Sequence, residues 1–183
     1  MARPGMSDLI AQVRRIAGVG TAEYTTAGAT WWTDDQIQSV LDAHRRDVVR
    51  EMLHADESYV GGGSIQWLTY RSRHRNYEGG SALLIEDGLG DNRGTATYAF
   101  DALRGVATFS ADQGGTALYV TGPVYDVHGA AAEVLESWST ALSLDFQFAT
   151  DGQSFHREQK AAALAQRAAE QRRRAWARGV RFR

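Results

Sequence analysis

The chain has 183 residues, no cysteine and a formal charge of −2 at pH 7. That length suits one domain of ordinary size with or without an extension, and the lack of thiols excludes a disulfide framework, a thiolate metal site and a cysteine nucleophile. No apolar run approaches the roughly 20 residues that span a bilayer, and no signal-peptide pattern opens the chain, so no membrane partner is expected.

Ser7 is a plausible N-cap for a short helix in which Leu9, Ile10, Val13 and Ile16 recur at helical spacing, ended by Gly18 and Gly20. Thr21 to Thr30 is a loop of small residues. Thr33 then caps a second helix whose first turn carries Asp34 and Asp35, where negative charge suits a helix N-terminus. Ile37, Val40, Leu41, His44, Val48 and Met52 share one face and predict a helix over 34–54, with Trp31 and Trp32 placed to fold back as a staple.

From Ser58 the period changes. Strand-like runs around Tyr59 to Tyr70, Leu83 to Ile85, Thr95 to Phe100, Val106 to Phe109 and Thr116 to Thr121 alternate with turns rich in Gly, Asp and Asn. This spacing predicts an antiparallel meander, closed by Gly122-Pro123. A third helix starts at Val124 or Tyr125 and carries Val127, Ala131, Val134, Leu135, Trp138, Leu142 and Phe146 at helical spacing; Gly129 and Ala130-Ala131-Ala132 would let another helix come close. The expected fold class is therefore mainly α (α+β): a helical bundle with an inserted antiparallel β meander and an extended C-terminal helix. Its parts are N-terminal helices over 1–57, the β module over 58–122, the Ala-rich helix and turn over 123–152 and a basic arm over 153–183.

The arm is the most unusual segment. From Gln153 onward there are nine basic and two acidic residues, while the preceding chain has 11 basic and 20 acidic ones. An acidic body with a basic arm implies an anionic partner: nucleic acid, an acidic protein surface or a membrane. Trp176, Val180 and Phe182 interleave with Arg172, Arg173, Arg174, Arg178, Arg181 and Arg183, a composition typical of interface hot spots. Apolar residues are too few for the arm to form a core alone, so it is expected to lie against something else.

Signals for chemistry are negative. The five histidines (His44, His54, His74, His128, His156) form no pair at i, i+4. Gly61-Gly62-Gly63 precedes a strand and lacks the lysine of a phosphate cradle. Glu86 and Asp87 read as turn residues, and Asp87, Asp91 and Asn92 lack the Gly and Glu placement of a calcium loop. No catalytic residue, cofactor or metal is expected.

Several motifs together resemble a family. Trp32-Thr33-Asp34-Asp35-Gln36-Ile37 with Val40-Leu41-Asp42-Ala43-His44-Arg45 is one; Tyr125-Asp126-Val127-His128-Gly129-Ala130-Ala131-Ala132 and Phe148-Ala149-Thr150-Asp151-Gly152-Gln153-Ser154-Phe155 are the others. In this order, followed by a basic helix, they resemble the head–tail adaptor (head-completion, connector) proteins of long-tailed double-stranded DNA bacteriophages. The family often carries more Ser where this chain has Phe155 to Gln159.

The resemblance implies a structural virion protein at the head–tail interface, made in the host cytoplasm. It would form a homo-oligomeric ring of about twelve subunits under the portal protein, extending the channel for passing double-stranded DNA without sequence-specific binding. The ring would face the next connector (stopper) or a tail-terminator protein. The portal-docking segment maps to Arg167, Arg172, Arg173, Arg174, Trp176, Arg178, Val180, Arg181, Phe182 and Arg183, on a helix roughly 36 Å long whose tail orders on docking. Asp42, Asp47, Glu133 and Glu136 are candidates for subunit contacts or channel lining. The alternative is a nucleic-acid-binding protein whose arginine tail contacts phosphates directly.

Overall fold

The fold is that of a computed structural model, which describes residues 2–20, 24–26, 29–60, 62–146 and 154–176. It has two compact units, one built from Met1–Arg3, Ser7–His44 and Asp126–Arg183, the other from Pro4–Met6 and Arg45–Tyr125.

The first unit is helical. Helix α1 (Ser7–Ala17) buries Leu9, Ile10, Val13 and Ala17 at the expected spacing. A two-stranded antiparallel hairpin follows, β1 (Tyr24–Thr26) with β2 (Ala29–Trp31), within the segment expected to be a loop. Helix α2 (Asp34–Ala43) opens on a capping box in which Thr33 and Gln36 satisfy each other's backbone N–H groups. Trp32 and Ile37, at the staple positions on either side of the cap, are both buried. Helices α3 (Val127–Phe146) and α4 (Ser154–Arg174) complete the unit.

The second unit is all β. Its strands are β3 (Arg45–Met52), β4 (His54–Val60), β5 (Ser64–Arg71), β6 (Leu84–Asp87), β7 (Tyr98–Asp101), β8 (Val106–Phe109) and β9 (Leu118–Tyr125). They form a three-stranded sheet, β3-β9-β6, and a four-stranded sheet, β4-β5-β8-β7, antiparallel throughout. Tyr70, Tyr77, Ile85, Phe109, Leu118 and Val120 are buried, and Tyr70 and Phe109 meet edge-on at 5.5 Å.

This corrects the expected fold class. Among the described residues the protein is α+β, with four α-helices, the β1–β2 hairpin and two larger antiparallel sheets that hold seven strands between them, rather than a mainly helical bundle carrying a meander. The largest single error is the helix over 34–54, which stops at Ala43, leaving residues 45–57 in strands. His44, Val48 and Met52 are four apart, a spacing that a strand of period two satisfies as readily as a helix. The β-branched pair Val48-Val49 favours the strand. A bulge between Val48 and Glu51 then shifts the phase, so Glu51 falls on the face of Val48 and Met52 turns away. Arg50, within the bulge, takes the unusual φ of 48°, and its N–H donates to Thr121 Oγ1 at 3.0 Å.

The second error concerns Gly122-Pro123, which lies inside β9 instead of ending it. β6 pairs with β9 only as far as Thr121. Beyond it, Pro123 O accepts from Glu78 N–H at 3.0 Å and Tyr125 N–H donates to Asn76 O at 3.0 Å. Backbone groups of residues 123 and 125 thus point to this flank, away from β3, so the pairing with β3 calls for no N–H from Pro123.

Candidate docking interface

Helix α3 is the centre of the helical unit. Ala130, Ala131, Ala132, Val134, Leu135 and Leu142 are buried, and it packs against α1, α2 and α4. Helix α4 lies along α3 through a narrow stripe, Ala161, Leu164 and Ala168, at the spacing of one helix face. Small residues on both sides let the helices approach closely. Polar clasps flank this stripe: Ser139 Oγ donates to Ala161 O at 2.9 Å, His128 Nδ1 lies 2.8 Å from Gln171 Oε1, and Arg167 Nη2 donates to Ile16 O at 3.3 Å. The arm expected to need an outside partner for its apolar face therefore has one in its own chain.

Asp126 joins the two ends of this helix pair. It is buried and caps α3, its Oδ1 accepting from Gly129 N–H at 2.9 Å. Its Oδ2 accepts the N–H of Trp176, two residues past α4, at 2.8 Å. Gly129 has no room for a side chain: a Cβ there would lie 2.6 Å from Asp126 Oδ2 and 2.7 Å from His44 Nδ1. The glycine expected to admit another helix thus admits the C-cap residue of α2.

The predicted interface residues separate into two groups. Arg172 pairs with Glu136 of α3, and Arg167 is held by the α1 carbonyl. Arg173 and Arg174 are exposed and form no ion pair among the described residues. Trp176 is half-buried, while Arg178, Val180, Arg181, Phe182 and Arg183 lie outside the described residues. At the end of α4 the three arginines also complement the negative pole of the helix.

All four acidic candidates are paired within the chain. Asp42 takes a bidentate contact from Arg3, at 2.7 and 3.1 Å; Asp47 accepts from Arg45 Nε at 2.9 Å; Glu133 Oε2 lies 2.9 Å from His44 Nε2; Glu136 holds Arg172. These contacts bring Glu136 and Arg172 together, whereas Asp42, Asp47 and Glu133 each serve a separate site.

Sequence reasoning missed Arg14. This buried guanidinium reaches Asp34 Oδ1 and Trp32 O at 2.7 Å, and Gly20 O at 2.7 Å, tying α1 to the start of α2. Its only sequence signal was an arginine beside Val13 at the edge of an apolar face. In the β unit, Asp87 acts as the turn residue it resembles, its Oδ1 accepting N–H groups of Leu89 at 2.9 Å and Asp91 at 3.0 Å. The Asp91 N–H above all, then those of Leu89 and Gly90 and the Arg93 charge, hold its carboxyl below the usual range. Asp112 is lowered likewise by the N–H groups of Trp67 and Gly114. Burial pushes the Tyr77 phenol up to about 12.

Among the described residues, no group of three His, Asp or Glu side chains is placed to hold a metal ion. No helix among them is long and apolar enough to cross a membrane. Comparison with known protein families, curated proteins and solved structures finds no match.

Proposed function

We propose that this chain is a structural coupling protein of a long-tailed double-stranded DNA phage, a head–tail adaptor that binds the portal protein through the end of its basic arm. About twelve copies ring the exit below the portal at the virion's head–tail interface, extend the DNA channel and offer a platform to the stopper or tail-terminator protein. The role is mechanical, without catalysis. The ordered motifs support this reading, together with an acidic body joined to a basic arm.

The observation that carries it is the state of the arm. Arg167 and Arg172 are occupied by the chain's own groups, whereas Arg173 and Arg174 are exposed without an ion pair among the described residues. The docking set therefore narrows to Arg173, Arg174 and the arginines that follow them in sequence. The same two guanidiniums favour the alternative reading, in which they meet nucleic-acid phosphates.

The test must leave the α3–α4 packing intact, so only the end of the arm is altered. Arg173→Glu/Arg174→Glu, and separately a chain ending at Trp176, are compared with wild type for binding to purified portal protein and to duplex DNA. Loss of portal binding with little DNA affinity in any sample is the expected result. Strong DNA binding whose logarithm falls with log salt by about 0.9 per phosphate neutralised, with no affinity for portal, reverses the choice.

A further inference from the structure

Of the five large apolar side chains exposed in the described residues, four lie on two adjacent strands: Val49 (73 % exposed) and Met52 (49 %) on β3, Tyr59 (76 %) and Val60 (44 %) on β4. Both strands are sheet edges, β3 in the three-stranded sheet and β4 in the four-stranded one. Their outer sides pair with no strand among the described residues. Such an edge offers backbone N–H and C=O groups to a further strand; each edge here carries one bulge, between Val48 and Glu51 in β3 and between Asp56 and Ser58 in β4, but neither has the lysine or proline that often blunts one. β4 is seven residues long, has neither lysine nor proline, and is exposed along nearly its whole length.

The two edges also suit each other. β3 has eight residues and β4 seven, so their lengths match. β3 carries three arginines against two acids, while β4 carries Asp56 and Glu57 and no arginine. β4 pairing with itself would bring the acids Asp56 and Glu57 of two copies together; β3 against β4 brings opposite net charge together. We infer that the outer edge of β3 in one copy pairs with the outer edge of β4 in a second copy, with Val49 and Met52, on one face of β3, meeting Tyr59, while Val60 lies on the opposite face of β4. Because each chain carries both halves, the contact is head-to-tail and propagates until it closes or forms a filament. It supplies a copy-to-copy surface for the adaptor reading, yet stands on the two edges alone.

Sedimentation velocity of the full chain at about 100 μM, a concentration that fills a micromolar interface, should show self-association. Val49→Glu on β3 and Tyr59→Glu on β4 should each weaken it at least about tenfold, with unchanged circular dichroism because both side chains are exposed. Mixing the two variants decides the matter. Each keeps one intact edge, so the mixture should form dimers that grow no further. A wild type that stays monomeric, variants that associate normally, or a mixture with no dimer overturns the proposal. A Tyr59→Glu defect without a Val49→Glu defect would point to β4 pairing with itself, and overturns it as well. Arg173→Glu/Arg174→Glu leaves both edges untouched, so failure of portal binding is scored separately from failure of self-association.

Discussion

The helical unit and the β unit both take up charges inside the chain, but among the described residues only the β unit leaves large apolar side chains exposed. In the helical unit, charges that look free in sequence are taken up inside the chain: Arg172 by Glu136, Glu133 by His44, Asp42 by Arg3 and Arg14 by Asp34. The β unit also leaves apolar side chains and backbone edges uncovered on β3 and β4. Charge counted along the sequence was therefore a poor guide to which side chains stay unpaired in the fold. A helix end can absorb its charges through long flexible side chains, but a sheet edge has no equivalent means of satisfying its backbone.

The contrast breaks first if the helical unit's internal contacts prove dispensable. Arg14→Ala removes a buried guanidinium that serves Asp34 and two backbone carbonyls, and should cost about 3 kcal/mol in urea denaturation. A loss of a few tenths would mean that water replaces it without penalty. Next in size is Leu164→Ala, which empties the largest buried side chain of the α4 stripe. It should cost about 2 kcal/mol, and proteolysis should then reach α4 before α1 or α2. Arg172→Ala should cost only about 0.5 kcal/mol, since both partners of that ion pair are partly in water. A markedly larger loss would promote the pair from surface clasp to structural tie.

The sequence revealed elements wherever a single period was unambiguous. Ser7–Ala17 has an apolar face that only a helix satisfies, and the Thr33 cap with Gln36 three residues later specifies one backbone geometry. It failed where two periods coincide, as at His44, Val48 and Met52, and where a rule has a local exemption, as at Pro123. Of the candidate interface, the basic end of α4 was legible. The intrachain partners of Arg172 and Glu136 were not, because they are 36 residues apart and their meeting depends on how α3 and α4 pack. Tyr59 and Val60 read as strand residues, but exposure on an edge depends on strand order, which the alternation of residues does not encode.

The smallest expected signal is in acid, and it sharpens the contrast between the units. Asp87 and Asp112 accept backbone N–H groups in turns of the β unit, and both carboxyls are lowered as a result. A carboxyl with a depressed folded pKa stabilises the fold above its unfolded value, near about 3.9, and that contribution fades as pH falls through the folded value. Both turns should therefore loosen below about pH 4. Hydrogen exchange at the amides of Leu89, Asp91, Trp67 and Gly114 should quicken there, while those of Val134 and Leu135 in α3 stay protected. Asp87→Asn should remove the pH dependence at Leu89 and Asp91 and leave Trp67 and Gly114 responding as before. Uniform acceleration across α3 and both turns would instead mean that acid unfolds the chain globally, and that these carboxylates have no separate hold on their turns.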